Sequence, residues 1–297
     1  MKKTIIIMAL IVLVSALAVC LKIRIDKIDE KKSMITVWKI ENDDEEINLP
    51  VWGEVDVLVD WGDGSKIEKV TSELPSHKYV NSGTYEIKVK GTCDMWGKFE
   101  LVTLADDETE AKMKKYRECI TTVKQLGELG VKGYYFANCS NLANVEGENL
   151  VTDNTFANVT DMTGMFFDCA KLKKLDISKF NTSKVTSMAY MFFDCCELEN
   201  LDCSNFKTEN VETMEMMFAY CEKIKELDIR SFNTSKMKNM DRFLFGCTSL
   251  ENLKIDHLDT SNMDRIELMF YGCEKLDLNN ISGIDMTKVD KADQNVT

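Results

Sequence analysis

The sequence predicts a multidomain chain in three parts: a hydrophobic leading helix, an all-β sandwich and an α/β solenoid of short repeats. Three observations predict it. An uncharged stretch from Thr4 to Leu21 lies between Lys2-Lys3 and Lys22. From Met34 to about Leu104, apolar and polar residues alternate in short runs. From Cys169 onward a cysteine recurs every 26 residues, at Cys195, Cys221, Cys247 and Cys273. Alternation with period two marks strands with one buried face. A fixed period of about 20–50 residues marks stacked repeat units.

The composition narrows the function. With 297 residues and 44% hydrophobic content, the chain is long and apolar enough for a folded core. Its 50 Asp plus Glu against 37 Lys plus Arg give a formal charge of −13. So acidic a chain lacks the positive field that attracts phosphates, and nucleic acid is not an expected partner. Two histidines, His77 and His257, leave little for a histidine-based metal site or triad. No GxSxG, HExxH or Cys–His context is present. The expectation is a protein that is not an enzyme and carries no cofactor. Eleven cysteines are an odd number, so complete intramolecular pairing is impossible.

Residues 1–23 read as a signal peptide or membrane anchor. A basic head before an apolar core keeps its charge on the cytoplasmic side and sends the remainder across. Three outcomes are open. Ala16-Leu17-Ala18 has the small residues a signal peptidase reads. Leu17-Ala18-Val19-Cys20 resembles a lipobox, which implies lipidation of Cys20. At ~1.5 Å rise per residue the stretch also suffices to span a bilayer, and its length favours this anchor reading. Residues 24–33 are charged, lack an apolar period and read as a tether. Each route places the rest of the chain at the cell surface, membrane-anchored or secreted.

Residues 34–104 read as the β unit. Val55, Val57 and Val59, then Tyr85, Ile87 and Val89, alternate as strand faces do. Asp60-Trp61-Gly62-Asp63-Gly64 between strands is a turn, its aspartates able to bond back to the local backbone. Two carboxylates in a tight turn are too few for calcium, which wants about 6–8 oxygens. Val59 to Ser65, His77-Lys78-Tyr79 and Gly83-Thr84-Tyr85 together resemble a PKD domain. That resemblance implies an Ig-like sandwich used as a spacer or binding module, with His77 in a structural role.

Residues 105–133 read as a connector and lead-in cap, and 134–297 as the solenoid. The 26-residue frame aligns Val159, Val185, Val211, Met237 and Met263; Met162, Met188, Met214, Met240 and Ile266; and Phe166, Phe192, Phe218, Leu244 and Phe270. A degenerate first copy holds Phe136 and Cys139, and a partial copy begins at Ile284. Within one copy, Met188, Met191, Phe192, Cys195 and Leu198 step by three and four, which predicts a short helix. Asn181-Thr182-Ser183 stands where it would cap that helix. Leu201 and Cys203 step by two, which predicts a short strand with Asp202 outward. The six register cysteines, Cys139, Cys169, Cys195, Cys221, Cys247 and Cys273, are expected to be buried free thiols, and the methionines core filling. Asp176, Asp202 and Asp228, ending at Lys254, form a column on the strand face. It reads either as turn hydrogen bonding or as an acidic stripe for a basic partner.

Val185-Thr186-Ser187-Met188, Met191-Phe192, Cys195, Leu198, Leu201-Asp202 and Phe206, with their counterparts, resemble the BspA-type leucine-rich repeat surface proteins. Ile120 to Gly127 resembles the lead-in strand of that family. The resemblance implies adhesion to an extracellular protein or glycan, host-derived partners included. The other functions weighed are a structural coat or spacer component and an accessory module of a secreted hydrolase.

Overall fold

The computed structural model describes residues 28–99, 106–255, 258–278, 281 and 284. The leading hydrophobic segment, Cys20 and the final residues of the partial copy lie outside the described residues. Among the described residues no helix is long and apolar enough to cross a membrane.

The first strands are β1 (Met34–Ile40), β2 (Glu45–Asn48), β3 (Val51–Trp52), β4 (Asp56–Asp60), β5 (Glu68–Val70), β6 (Ser76–Tyr79), β7 (Gly83–Thr92) and β8 (Met95–Trp96). The single α-helix among the described residues, α1 (Asp107–Cys119), follows. Then come β9 (Ile120–Gln125), β10 (Gly133–Tyr134), β11 (Asn144–Val145), β12 (Lys174–Leu175), β13 (Glu226–Asp228) and β14 (Asn252–Lys254). The largest sheet has seven strands in the order β12-β11-β9-β1-β7-β4-β5. β1 runs antiparallel to both β7 and β9, and β11 continues the sheet parallel to β9. A three-stranded sheet, β10-β8-β3, joins Trp96 to Tyr134 in parallel.

The strands of 34–104 do not close into a self-contained Ig-like sandwich: two of their three sheets take in strands from beyond residue 104. Alternation reports that a segment is a strand with a buried face, and says nothing of which strand lies beside it. Nor does the repeat region form an α/β leucine-rich-repeat solenoid. Its copies are turns, two- and three-residue strands and isolated bridges, with no α-helix among the described residues.

The physical reason is visible in the backbone. Tyr190 and Asp194, four residues apart in one copy, have φ of 58° and 55°. Met216 and Tyr220, then Arg242 and Gly246, repeat the pair. A right-handed helix cannot pass through such residues. Instead Met191 N–H donates to Met188 O, Phe193 to Tyr190 and Cys195 to Phe192, each closing a three-residue step. The intervening N–H groups of Met188, Tyr190, Phe192 and Asp194 donate to Thr213, Glu215, Met217 and Ala219 of the next copy. Successive tight turns thus place side chains inward every three or four residues, the spacing a helix would also produce.

Capping has the same fate. Asn181 Oδ1 accepts from Ser183 N at 3.2 Å and closes a local turn. Buried Thr182 reaches the following copy instead, donating to Lys207 O at 3.1 Å and accepting from Lys207 N at 2.7 Å. Thr208 repeats both bonds with Asn233. Single parallel bridges join Asp161, Ser187, Thr213, Asn239 and Arg265 in order. Between them the core is a column of buried rings: Phe136, Phe166, Phe192 and Phe218 stack at 5.8, 5.8 and 5.4 Å.

The register cysteines lie beside that column, buried and unpaired. Cys169 Sγ donates to Phe136 O, Cys195 to Phe166 O, Cys221 to Phe192 O, Cys247 to Phe218 O and Cys273 to Leu244 O, at 3.1–3.2 Å. Each of these five thiols thus adds a second bond to a carbonyl of the preceding copy that already accepts the N–H three residues on. Burial pushes the Cys139 thiol up to about 12 and holds Cys169 and Cys195 well above their ordinary value, so thiolate chemistry is suppressed at neutral pH.

In α1 the Asp106 side chain accepts from Thr109 N at 2.8 Å, and three acidic residues occupy the first turn. Lys115 ties the helix to β2 through Glu45 at 2.6 Å, while Met113, Tyr116 and Cys119 are buried.

In the WGDG turn, Asp60 and Asp63 accept from Gly62 N and Ser65 N at 3.0 and 2.9 Å. His77 stacks on Trp61 at 4.6 Å and bonds Asp63 Oδ2 at 2.8 Å. Burial, the largest single influence, raises the Asp63 carboxyl. The hydrogen bonds from Ser65 and His77 together outweigh it and bring the group to about 2, from an ordinary 3.8. A depressed carboxyl contributes stability above its unfolded value and loses that contribution as pH falls toward the folded one. Urea midpoints are therefore expected to fall more steeply between pH 5 and about pH 2 in the native protein than in Asp63→Asn. Equal slopes would remove the carboxyl from the account.

Candidate functional site

Inward Phe166 and Phe192 are each followed by a second aromatic, Phe167 and Phe193, and Leu244 and Phe270 by Phe245 and Tyr271. Each second ring directly follows the last inward residue of its turn and stands at the surface, half-buried or exposed. In-register stacking turns the column into a ridge. Phe99 meets Phe167 at 5.2 Å; Phe167 and Phe193 stack at 4.8 Å and 6°; Phe245 and Tyr271 stack at 5.1 Å and 21°. Tyr190 flanks it, 6.4 Å from Phe167 and 6.1 Å from Phe193.

Ala219 would interrupt the ridge, and Tyr220 fills the gap from the next position. Its ring stands 5.4 Å from Phe193 at 79° and 5.4 Å from Phe245 at 66°. Gly246 makes the room: a Cβ there would lie 2.9 Å from Tyr220 Cδ1. Tyr220 and Tyr271 are 39% and 47% exposed, which makes them unusual among the large apolar residues of this fold. Single exposed rings are ordinary, and a contiguous line of part-exposed rings is less so.

The charges around the ridge are unequal. Elsewhere in the repeats, acids meet bases one copy away: Glu197 with Lys173 and Lys223, Glu212 with Lys238, Glu251 with Lys275. On one flank Asp241, buried, holds Arg265 at 2.8 Å, and Asn239 donates to Glu215 at 3.0 Å. On the other flank stand Asp168 and Asp194, which directly follow Phe167 and Phe193. Neither carboxylate has a partner among the described residues. Burial, then the charge of Asp194, raises the Asp168 carboxyl. Asp168 also lines a cleft of about 390 Å³ against α1, with Glu110 and Arg117.

The aspartate column of the sequence reading lies elsewhere. Asp176, Asp202 and Asp228 accept from the backbone N–H of Ser178, Ser204 and Arg230 at 3.0, 2.9 and 3.2 Å. Asp228 also holds Arg230 at 2.7 Å and faces Lys254 across β13 and β14. Hydrogen bonds from the Arg230 side chain, the largest influence, bring the Asp228 carboxyl to about 2. Replacing all three aspartates by Asn, which accepts the same turn bonds, is expected to leave partner binding unchanged; lost binding would restore the acidic-stripe reading.

The ridge itself escaped the sequence reading, although its signal was present: an aromatic directly after the third core column in four of five copies. Among the described residues, no cluster of three His, Cys, Asp or Glu is placed to hold a metal ion.

Fold and surface together define a β-rich protein whose in-register repeats carry a line of part-exposed aromatic rings. The family described as "Mycoplasma protein of unknown function, DUF285" matches residues 134–253 and 199–297, together more than half of the chain, and the chain belongs to that family. Neither a curated protein nor a solved structure matches it.

Proposed function

We propose that this is a non-enzymatic recognition protein of the cell surface, which binds an extracellular protein or glycan through the aromatic ridge. The ridge is the observation that carries the reading. Tyr and Phe supply large contact areas at low entropic cost, and aromatic residues are enriched at the centres of interfaces. The resemblance of the repeats to BspA-type surface proteins, a likeness of sequence and not of fold, supports the same reading. So does the export-type segment at residues 1–23, which delivers the chain outside the cytoplasm either anchored, lipidated at Cys20 or released.

The test is binding of the purified full chain to cells and extracellular-matrix preparations, beside a Tyr220→Ala/Tyr271→Ala variant of equal thermal stability. Saturable binding that falls at least tenfold in the variant supports the proposal. Absence of saturable binding overturns it and leaves a coat or spacer component. Turnover of polysaccharide or peptide would instead favour the hydrolase-associated reading. Mass determination of the native amino terminus is expected to return an intact anchor segment; a start after Ala18, or a lipid on Cys20, would replace that expectation.

A further inference from the structure

We propose that the ridge takes a basic, extended segment of a partner protein, with a lysine or arginine side chain lying on the face of Tyr220 and Asp168 and Asp194 as its counter-charges. The proposal rests on the reading of the ridge as a recognition surface and names the chemistry that it selects.

Ring orientation is the first argument. Phe167 and Phe193 cover each other's faces at 6°, and Phe245 and Tyr271 do so at 21°. A sugar needs an open face to lay its C–H groups on, and in each stacked pair one face of each ring is covered by the other. Tyr220 alone is turned across the line, steeply inclined to both neighbours, and it packs on Gly246 so closely that a Cβ there would lie 2.9 Å from its Cδ1. Its face is stacked on no other aromatic ring among the described residues, and 39% of the residue is exposed. The face of an aromatic ring carries the negative part of its quadrupole and attracts an ammonium or guanidinium group.

Charge is the second argument. Asp194 occupies the position of Tyr220 one copy earlier, and its N–H donates to Ala219 O at 2.9 Å, which fixes the two side by side. Glu222 follows two residues later and is exposed. Asp168 and Asp194 stand one copy apart as like charges with no ion pair among the described residues, Arg117 and Lys114 lining only the cleft that Asp168 borders, in a fold that elsewhere pairs acids with bases across copies. Arg242 and Arg265 lie on the opposite flank, toward Tyr190, and Arg265 is held by Asp241. A partner cation at Tyr220 therefore relieves a repulsion already present in the free protein. The formal charge of −13 steers basic partners toward the molecule as a whole.

The experiment titrates the full chain with two fluorescent peptides of equal length, one lysine- and arginine-rich and one glutamate-rich, and with a neutral oligosaccharide. Tight binding of the basic peptide, weakened by salt, is expected. Tyr220→Ala and Asp168→Asn/Asp194→Asn should each weaken it about three- to thirtyfold, and Tyr220→Phe should retain it. Asp176→Asn/Asp202→Asn removes the same charge away from the ridge and should change little; an equal loss there would reduce the effect to net charge and overturn the proposal. Indifference to Tyr220→Ala, or no preference over the acidic peptide, would also overturn it. If the ridge variant loses cell-surface binding while the oligosaccharide binds and the basic peptide does not, the recognition reading stands and this proposal falls. If no cell or matrix preparation binds either, both fall.

Discussion

Phe192→Ala is expected to lower the stability of the protein by about 3–5 kcal/mol, read as a fall in the urea midpoint at unchanged slope. Phe192 is fully buried and stacked between Phe166 at 5.8 Å and Phe218 at 5.4 Å. Truncation removes its transfer energy and leaves a cavity that the two rings cannot close, because the cross-copy bonds of Phe192 and Asp194 to Met217 and Ala219 hold the spacing. In a repeat array each copy is stabilised by its neighbours, so one weakened contact acts on both sides. Phe192→Leu is expected to cost less than about 1.5 kcal/mol, since a leucine, Leu244, already occupies this column one copy beyond Phe218. A loss below about 1 kcal/mol for the alanine variant would show that the column is not the core of the array.

Gly97→Ala is expected to be the most damaging glycine substitution, at about 2–4 kcal/mol from a left-handed alanine and overpacking together. Gly97 has a φ of 71°, and a Cβ there would lie 1.8 Å from the carbonyl oxygen of Tyr135. Its N–H donates to Pro50 O at 2.7 Å, and Tyr135 N–H donates to Trp96 O at 2.7 Å. The clash is thus with backbone, at the place where β8 and β10 join the first strands to the repeats. Gly64→Ala is the control, with a φ of 83° and nothing within 4 Å of the added carbon. It should cost only the backbone strain, about 1–2 kcal/mol. Equal melting temperatures for the two variants would argue against close packing at the β8–β10 junction.

The positions that face inward were readable because burial requires apolar side chains wherever they recur. The 26-residue frame selected Phe166, Phe192, Phe218, Leu244 and Phe270, and all are buried. Strand alternation likewise marked Val57, Val59, Ile87 and Val89, which are buried in β4 and β7. The connector helix went unread, although Asp106 and the acids that follow it are an N-terminal signal.

Backbone path and partner choice were decided elsewhere. A three-and-four spacing is shared by a helix and by a run of turns, and only the bonds from Met188, Tyr190, Phe192 and Asp194 to the next copy select the turns. Those bonds join residues 25 apart, beyond any local propensity, and they hold Tyr190 and Asp194 at positive φ. The same stacking aligns the second aromatics into a ridge and leaves Tyr220 crosswise where Ala219 opens a gap. Amino-acid pattern alone determined what is buried and how often it recurs, because hydrophobic burial is a property of each side chain. Tertiary structure decided the backbone between those positions and the surface opposite them, because cross-copy hydrogen bonds and ring contacts exist only once the copies are stacked.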